Sequence, residues 1–383
     1  MPSLNLKSKL PQVGTTIFTV MSKMAAEHNA INLSQGFPDF ACDPLLVEMV
    51  HKSMQLGQNQ YAPMIGTAAL REEIALMVNE KYNAPYDPET EITVTSGATE
   101  ALFCAIMTLV HEGDEVLIIE PAYDCYLPAI ELAGGMAVGV QMDFPNYTVN
   151  WDAVKRLINR NTRVIIINSP HNPTGSTLTE ADILQLEKLI MPNNIFVISD
   201  EVYEHIIFDG RKHESIARYP NLRERSMIVS SFGKTFHTTG WKVGYCLAPQ
   251  SLSKEFRKVH QFVTFSTSTP FQMGIAEYMR NRANIDNLKD FYQEKRDYFL
   301  ELMKETRFKP LKTEGTYFQL MSYADISDEN DKAFCERLTK EFGVASIPVS
   351  VFYRKEIDNK VIRFCFAKEN QTLEMAAEQL RKV

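Results

Sequence analysis

The chain has 383 residues, 45% of them hydrophobic and 23% charged, with a formal net charge of −8. That length suits two domains, or one large domain with a smaller satellite, and the composition is that of an ordinary globular protein. A mild acidic excess speaks against a nucleic-acid partner, which calls for a basic face. No apolar stretch reaches the roughly 18 residues that span a bilayer, and "MPSLNLKSKLPQ" lacks the apolar segment of a secretory signal. The six cysteines form no CxxC pair and no zinc-spaced cluster with histidine. No metal site is expected, and a reduced, cytoplasmic setting is.

In chain order, seven short apolar runs read as strands: "EITVTSG" (91–97), "EVLIIEP" (115–121), "MAVGVQMD" (136–143), "TRVIIINSP" (162–170), "NIFVISDEVY" (194–203), "SMIVSSFGK" (226–234) and "WKVGYCLAP" (241–249). Several are apolar at consecutive positions, as strands buried on both faces are. Helical patterns fill gaps between them. Ala101, Leu102, Ala105, Ile106 and Leu109 make one apolar stripe, and Thr179 with Asp182 makes a capping pair before "EADILQLEKLI". The alternation predicts an α/β domain with a mostly parallel sheet. The gap from 234 to 241 is too short for a parallel crossover, so the last two strands are antiparallel or are not neighbours. From about residue 288 the texture changes to a long amphipathic helix, "TEGTYFQLMSY", a helix near 331–342, "VASIPVS" and "VIRFCFA". This reads as a smaller α+β unit.

In α/β folds ligands gather at the carboxyl ends of strands. Ser96-Gly97-Ala98-Thr99, Tyr123, Asn172, Asp200, Tyr203, Ser231 and Lys234 all follow apolar runs. A lysine between Gly233 and Thr235, at a strand end, is a candidate desolvated amine able to join a carbonyl as a Schiff base. "SGATE" (96–100) opens a helix where backbone N–H groups can hold phosphate, with Ser231 and Lys242 beside it; the plain alternative is a cap by Ser96 or Thr99. Asp200 requires a cation or several hydrogen bonds, so it either caps a helix or pairs with a protonated ring nitrogen. Arg363 in "VIRFCFA" wants an anion: a bidentate carboxylate, or an internal Asp or Glu.

"NLSQGFPDF", "NSPHNPTG", "ISDEVYEHIIF", "SSFGKTFHTTGWKVGYCLAP" and "VIRFCFAK", in this order, resemble the fold-type I pyridoxal-phosphate aminotransferases across residues 10–383. The nearest branch is that of the kynurenine aminotransferase/glutamine transaminase K enzymes and the bacterial methionine aminotransferases. The resemblance implies a three-layer α/β/α large domain (38–287) with a seven-stranded mostly parallel sheet, and a discontinuous small α+β domain (1–37 and 288–383). It implies pyridoxal 5′-phosphate joined to Lys234, with Asp200 at the ring nitrogen. Asn172 and Tyr203 would serve the ring oxygen, and Tyr123 would lie on the ring. Gly97, Ala98, Thr99, Ser231 and Lys242 would hold the phosphate, with Tyr61 of a partner subunit in a homodimer with shared sites. Gly36 and Arg363 would grip the carboxylate of an amino acid or 2-oxo acid.

By the same resemblance, Thr99 stands where the eukaryotic kynurenine enzymes carry an aromatic, Phe18 where they carry a tryptophan, and Ser266 replaces a histidine. With Tyr353 and the partner's Phe265 they imply an apolar pocket for methionine or an aromatic amino acid. A C–S β-lyase, sharing the same first deprotonation, is the alternative activity. His237 is expected only to pack.

Overall fold

A computed structural model of the chain describes residues 6–383. After a two-residue strand β1 (Ile31–Asn32), the seven apolar runs form β2 (Ile92–Thr95), β3 (Glu115–Glu120), β4 (Met136–Gln141), β5 (Thr162–Asn168), β6 (Phe196–Asp200), β7 (Ser226–Ser231) and β8 (Gly244–Leu247). They make one sheet in the order β2-β8-β7-β6-β5-β3-β4. Pairings among β3, β4, β5, β6 and β7 are parallel, whereas β8 runs antiparallel to both β2 and β7. The short 234–241 gap is thus an antiparallel return between neighbours.

The continuous apolar runs serve two cores. Leu117, Ile119, Ile165, Ile167, Val197 and Ile228 face one layer of side chains. The alternating Val116, Ile118, Val164, Ile166, Ile198 and Val229 face the other. The predicted stripe at 101–109 lies wholly buried on the Ala98–Leu109 helix, within the second layer. Thr179 and Asp182 form the expected capping box at the Glu180–Ile190 helix. Helices on both faces shield the sheet from water.

A third core has its own elements. The Leu288–Met303 helix leads into β9 (Lys309–Pro310), β10 (Phe318–Ser322), the Asp331–Phe342 helix, β11 (Val344–Ala345), β12 (Ile347–Pro348) and β13 (Val361–Cys365). β12, β13, β10 and β9 form an antiparallel sheet, and β11 pairs with β1 in parallel. Its apolar cluster joins Met21 and Leu33 to Phe299, Phe334, Ile362 and Leu380, and also takes in Tyr203, Ile206 and Phe208. No helix among the described residues is long and apolar enough to cross a membrane.

Candidate active site

The carboxyl ends of β2 and β7 meet at Gly244, which pairs with Thr95 on one side and Ser231 on the other. A Cβ on Gly244 would meet Ser230 O at 2.7 Å and Ala98 N at 3.0 Å, so only glycine lets these backbones converge. Gly97, with φ +77°, opens the Ala98–Leu109 helix without a side-chain cap. The alternative of a cap by Ser96 or Thr99 is not realised: Thr99 lies inside the helix, and the Ser96 N–H donates to Glu100 Oε2 at 3.0 Å. Lys242, itself at φ +54°, places Nζ 3.2 Å from where a Cβ on Gly97 would sit. An uncapped helix N-terminus, a glycine and a cation make a cup for a phosphate group. Glu100 braces it from behind, its Oε1 engaged by Cys104 Sγ and His260 Nδ1 at 2.8 Å each.

β7 continues directly into the four-residue helix Phe232–Thr235. Gly233 suits the tight turn there, because a Cβ would lie 3.0 Å from Thr239 Cα. Lys234 enters the cavity and donates from Nζ to the Gly36 carbonyl at 3.0 Å and to Tyr317 Oη at 2.7 Å. Burial pushes its pKa down to about 8; Arg363 and Lys242 act in the same direction, Cys365 and Asp200 against it.

Asp200 ends β6 and is buried. Its Oδ2 accepts from Tyr126 Oη at 2.6 Å and its Oδ1 from the Val202 N–H at 3.3 Å. Neither donor is a cation, and burial holds the carboxyl up at about 6 despite both bonds. Asn172 donates its backbone N–H to Asn168 Oδ1 at 2.8 Å and accepts Arg363 Nη1 on Oδ1 at 2.6 Å, which leaves its amide N–H₂ unengaged. Tyr203 is buried with its ring edge-on to Tyr317 at 5.2 Å, and Tyr123 stands edge-on to Tyr126 at 5.9 Å.

Arg363 is 1% exposed, between Leu320 on β10 and Ile347 on β12. Nη2 donates to the Ser34 carbonyl at 3.2 Å, the guanidinium lies 3.8 Å from the Phe318 ring centroid, and Nε is buried without a partner among the described residues. None of these contacts is a carboxylate. The internal ion pair open to an arginine in an apolar strand is not made here.

Phe18, Gly36, Gly97, Ala98, Thr99, Tyr123, Asn172, Asp200, Tyr203, Ser231, Lys234, Lys242 and Arg363 thus line one cavity of about 290 Å³. Tyr61 does not join them: it is 81% exposed on this single chain and packs edge-on to Phe265 at 5.2 Å. Ser266, on the same surface, donates to the Ala62 carbonyl at 3.0 Å. Tyr353 corrects the expectation placed on it. It is 4% exposed within the core below the large sheet, accepts from Asn359 at 3.4 Å, and does not reach the cavity. His237 packs as expected, edge-on to Phe40 at 4.9 Å. The sequence reading missed Tyr126, Asn168 and Tyr317. Tyr126 carried a weak signal, three residues beyond Tyr123; Tyr317 carried only its place before a strand, in "EGTYF".

A donor-lined cup, a desolvated lysine, a buried carboxylate without a cation and an unpaired guanidinium fit a phosphorylated, cationic-ring aldehyde cofactor and a substrate carboxylate. Comparison with known proteins agrees. Residues 28–380 match the family described as aminotransferase class I and II. The chain is 50% identical to methionine aminotransferase of Escherichia coli K12 over 98% of both chains. It is 33% identical to human kynurenine–oxoglutarate transaminase 1 over 94% of each. Among solved structures it is similar to YbdL of Escherichia coli, reported with a methionine aminotransferase function, at a TM-score of 0.97 and 49% identity, with both chains fully covered. By sequence and by fold, the chain belongs to the class I and II aminotransferases.

Proposed function

We propose that the protein moves the amino group of methionine, or of an aromatic amino acid, to a 2-oxo acid, using pyridoxal 5′-phosphate held in the cavity at the sheet edge. One observation carries the reading: a desolvated lysine amine shares a cavity with a buried carboxylate that no cation bonds and with a guanidinium that no carboxylate bonds. Each of the three lacks the partner that such a cofactor and substrate would supply.

The cup of Gly97, Ala98 and Thr99, with Ser231 and Lys242, would hold the cofactor's phosphate. When bound, the cofactor supplies an electron sink for the substrate's Cα carbanion. Lys234 would hold the cofactor covalently and, once displaced by substrate, take the Cα proton and return it as general base and then acid; a pKa near neutrality suits both duties. Asp200 would keep a proton on the ring nitrogen, and Tyr126 orients its carboxylate. The free amide N–H₂ of Asn172 and the hydroxyl of Tyr203 would donate to the ring oxygen, and Tyr123 would cover the ring. Arg363 and the Gly36 region would take the substrate carboxylate. Phe18, Phe37, Leu102 and Phe318 give the cavity an apolar lining, which suits a thioether or a ring better than a second carboxylate.

The same proposal makes the enzyme a homodimer. Tyr61, Phe262 and Phe265 are 81%, 86% and 51% exposed, an aromatic surface that a second copy would cover, bringing Tyr61 to the partner's phosphate cup. It divides the chain into a large domain, 38–287, and a small domain of 1–37 and 288–383, a division supported by the third core, most of whose residues lie in those two segments. Six free thiols suit a reducing cytoplasm.

The test is a product analysis. Cofactor-loaded protein is incubated with L-methionine and a 2-oxo acid acceptor. A sulfur-retaining 2-oxo acid, with the acceptor converted to its amino acid, is expected. Methanethiol, ammonia and 2-oxobutyrate without an amino-acid product would replace the proposal with a lyase.

A further inference from the structure

Tyr317 is wholly buried, yet its hydroxyl meets two groups of the site. It donates to the Gly36 carbonyl at 2.5 Å and receives Lys234 Nζ at 2.7 Å, while Nζ also donates to the Gly36 carbonyl at 3.0 Å. Donor valences settle this triangle. A carbonyl only accepts, so the single tyrosine proton goes to Gly36, and the tyrosine oxygen must accept from the lysine. A neutral primary amine has two N–H bonds and one lone pair. Tyr317 takes one N–H and Gly36 the other, so the lone pair is the only unengaged position on the nitrogen.

The backbone holds this hydroxyl in place at a cost. Thr316, a β-branched residue, is forced to φ +66°. Its N–H donates to the Ile206 carbonyl at 3.0 Å, and its Oγ1 accepts the Phe318 N–H at 3.1 Å. At Gly315 a Cβ would meet Ile206 O at 2.8 Å. The N–H groups of Glu314 and Gly315 both donate to the Gly175 carbonyl. The tyrosine is thereby tied to the large sheet's loops, although it belongs to the chain's C-terminal part.

We propose that Tyr317 is the positioning residue for Lys234: with the Gly36 carbonyl it docks the amine while the lysine is detached from cofactor, and points its lone pair at the substrate's Cα proton. This rests on the reading of Lys234 as the proton-transfer base.

Two measurements test it, on the full-length wild type, on Tyr317→Phe and on Tyr292→Phe. The last removes a neighbouring buried hydroxyl that has no partner. First, cofactor-free protein is trace-acylated across pH and the Lys234 peptide is quantified by mass. Wild type should half-react near pH 8, with Asp200, Arg363, Lys242, Cys365 and Tyr203 facing the amine in every variant. Loss of an acceptor that favours the ammonium should move the Tyr317→Phe midpoint down by roughly one unit; Tyr292→Phe should not move it. Second, in loaded enzyme Tyr317→Phe should lower kcat by about tenfold or more, with KM within about twofold. A Lys234 midpoint equal to wild type overturns the proposal, as does an unchanged kcat, or a Tyr292→Phe variant that reproduces both effects. If wild type transfers no amino group the functional reading falls instead, and the acylation midpoint alone then decides the docking contact.

Discussion

Replacing Arg363 with methionine should separate stability from function. In the free enzyme the guanidinium is a buried charge whose bonds go to the neutral Asn172 Oδ1 and Ser34 carbonyl, and its Nε is unpaired. Burial holds its pKa below the usual arginine value, a sign that the charge is disfavoured there. The two bonds, both from a charged group, contribute about 3–6 kcal/mol together, and desolvating the charge costs about as much or more. A thioether side chain at this position would also fill much of the space against Phe318. Arg363→Met should therefore melt at or above the wild-type temperature. Function should respond oppositely. A substrate carboxylate would lose two charge-assisted bonds of about 1.5–3 kcal/mol each, or about 3–6 kcal/mol. That is about two to four decades in kcat/KM. Steady-state kinetics with L-methionine and a thermal melt of the cofactor-free protein check both halves. A variant that melts well below wild type would show the guanidinium to be structural, and an unchanged kcat/KM would remove it from carboxylate binding.

Other substitutions probe the rest of the cavity. The folded-state pKa of Asp200, about 6, lies above its unfolded value, so its contribution to cofactor-free stability is full below about pH 4 and is lost as pH rises through about 6. Asp200→Asn should accordingly gain on wild type by roughly 3 kcal/mol between pH 4 and pH 7 in urea denaturation, and parallel curves would contradict the buried carboxylate. Tyr126→Phe removes the 2.6 Å bond to Asp200 and should cut kcat about tenfold, with the cofactor absorbance band shifted in pH. Gly244→Ala places a methyl against the Ala98 N–H side of the cup, and should weaken cofactor affinity by about tenfold or more in a fluorescence titration while most secondary structure survives.

The large sheet was legible because several of its strands, β3, β5 and β6 above all, are apolar at consecutive positions, a pattern that water-facing strands and loops do not show. Lys234, Asp200 and Asn172 were legible because a polar residue directly after such a run has nowhere to go but the strand end. Tyr317 and Tyr126 were not, because a tyrosine among apolar residues is indistinguishable from core until its hydroxyl finds a partner. Tyr353 shows the converse: an aromatic residue expected in the pocket turns into the core instead. The positive φ of Thr316 left no trace in composition, since a β-branched residue is what one would least expect there.

β8 is the hinge of the assembly order. It is a four-residue strand, second from one edge of the sheet and paired on both flanks, and it arrives roughly 150 residues after β2. A nascent chain lacking it would display two bare strand margins, those of β2 and β7, and a phosphate cup open on the side that Gly244 closes. The cup is therefore complete only once residue 247 has joined the sheet. The guanidinium on β13 joins more than a hundred residues later still.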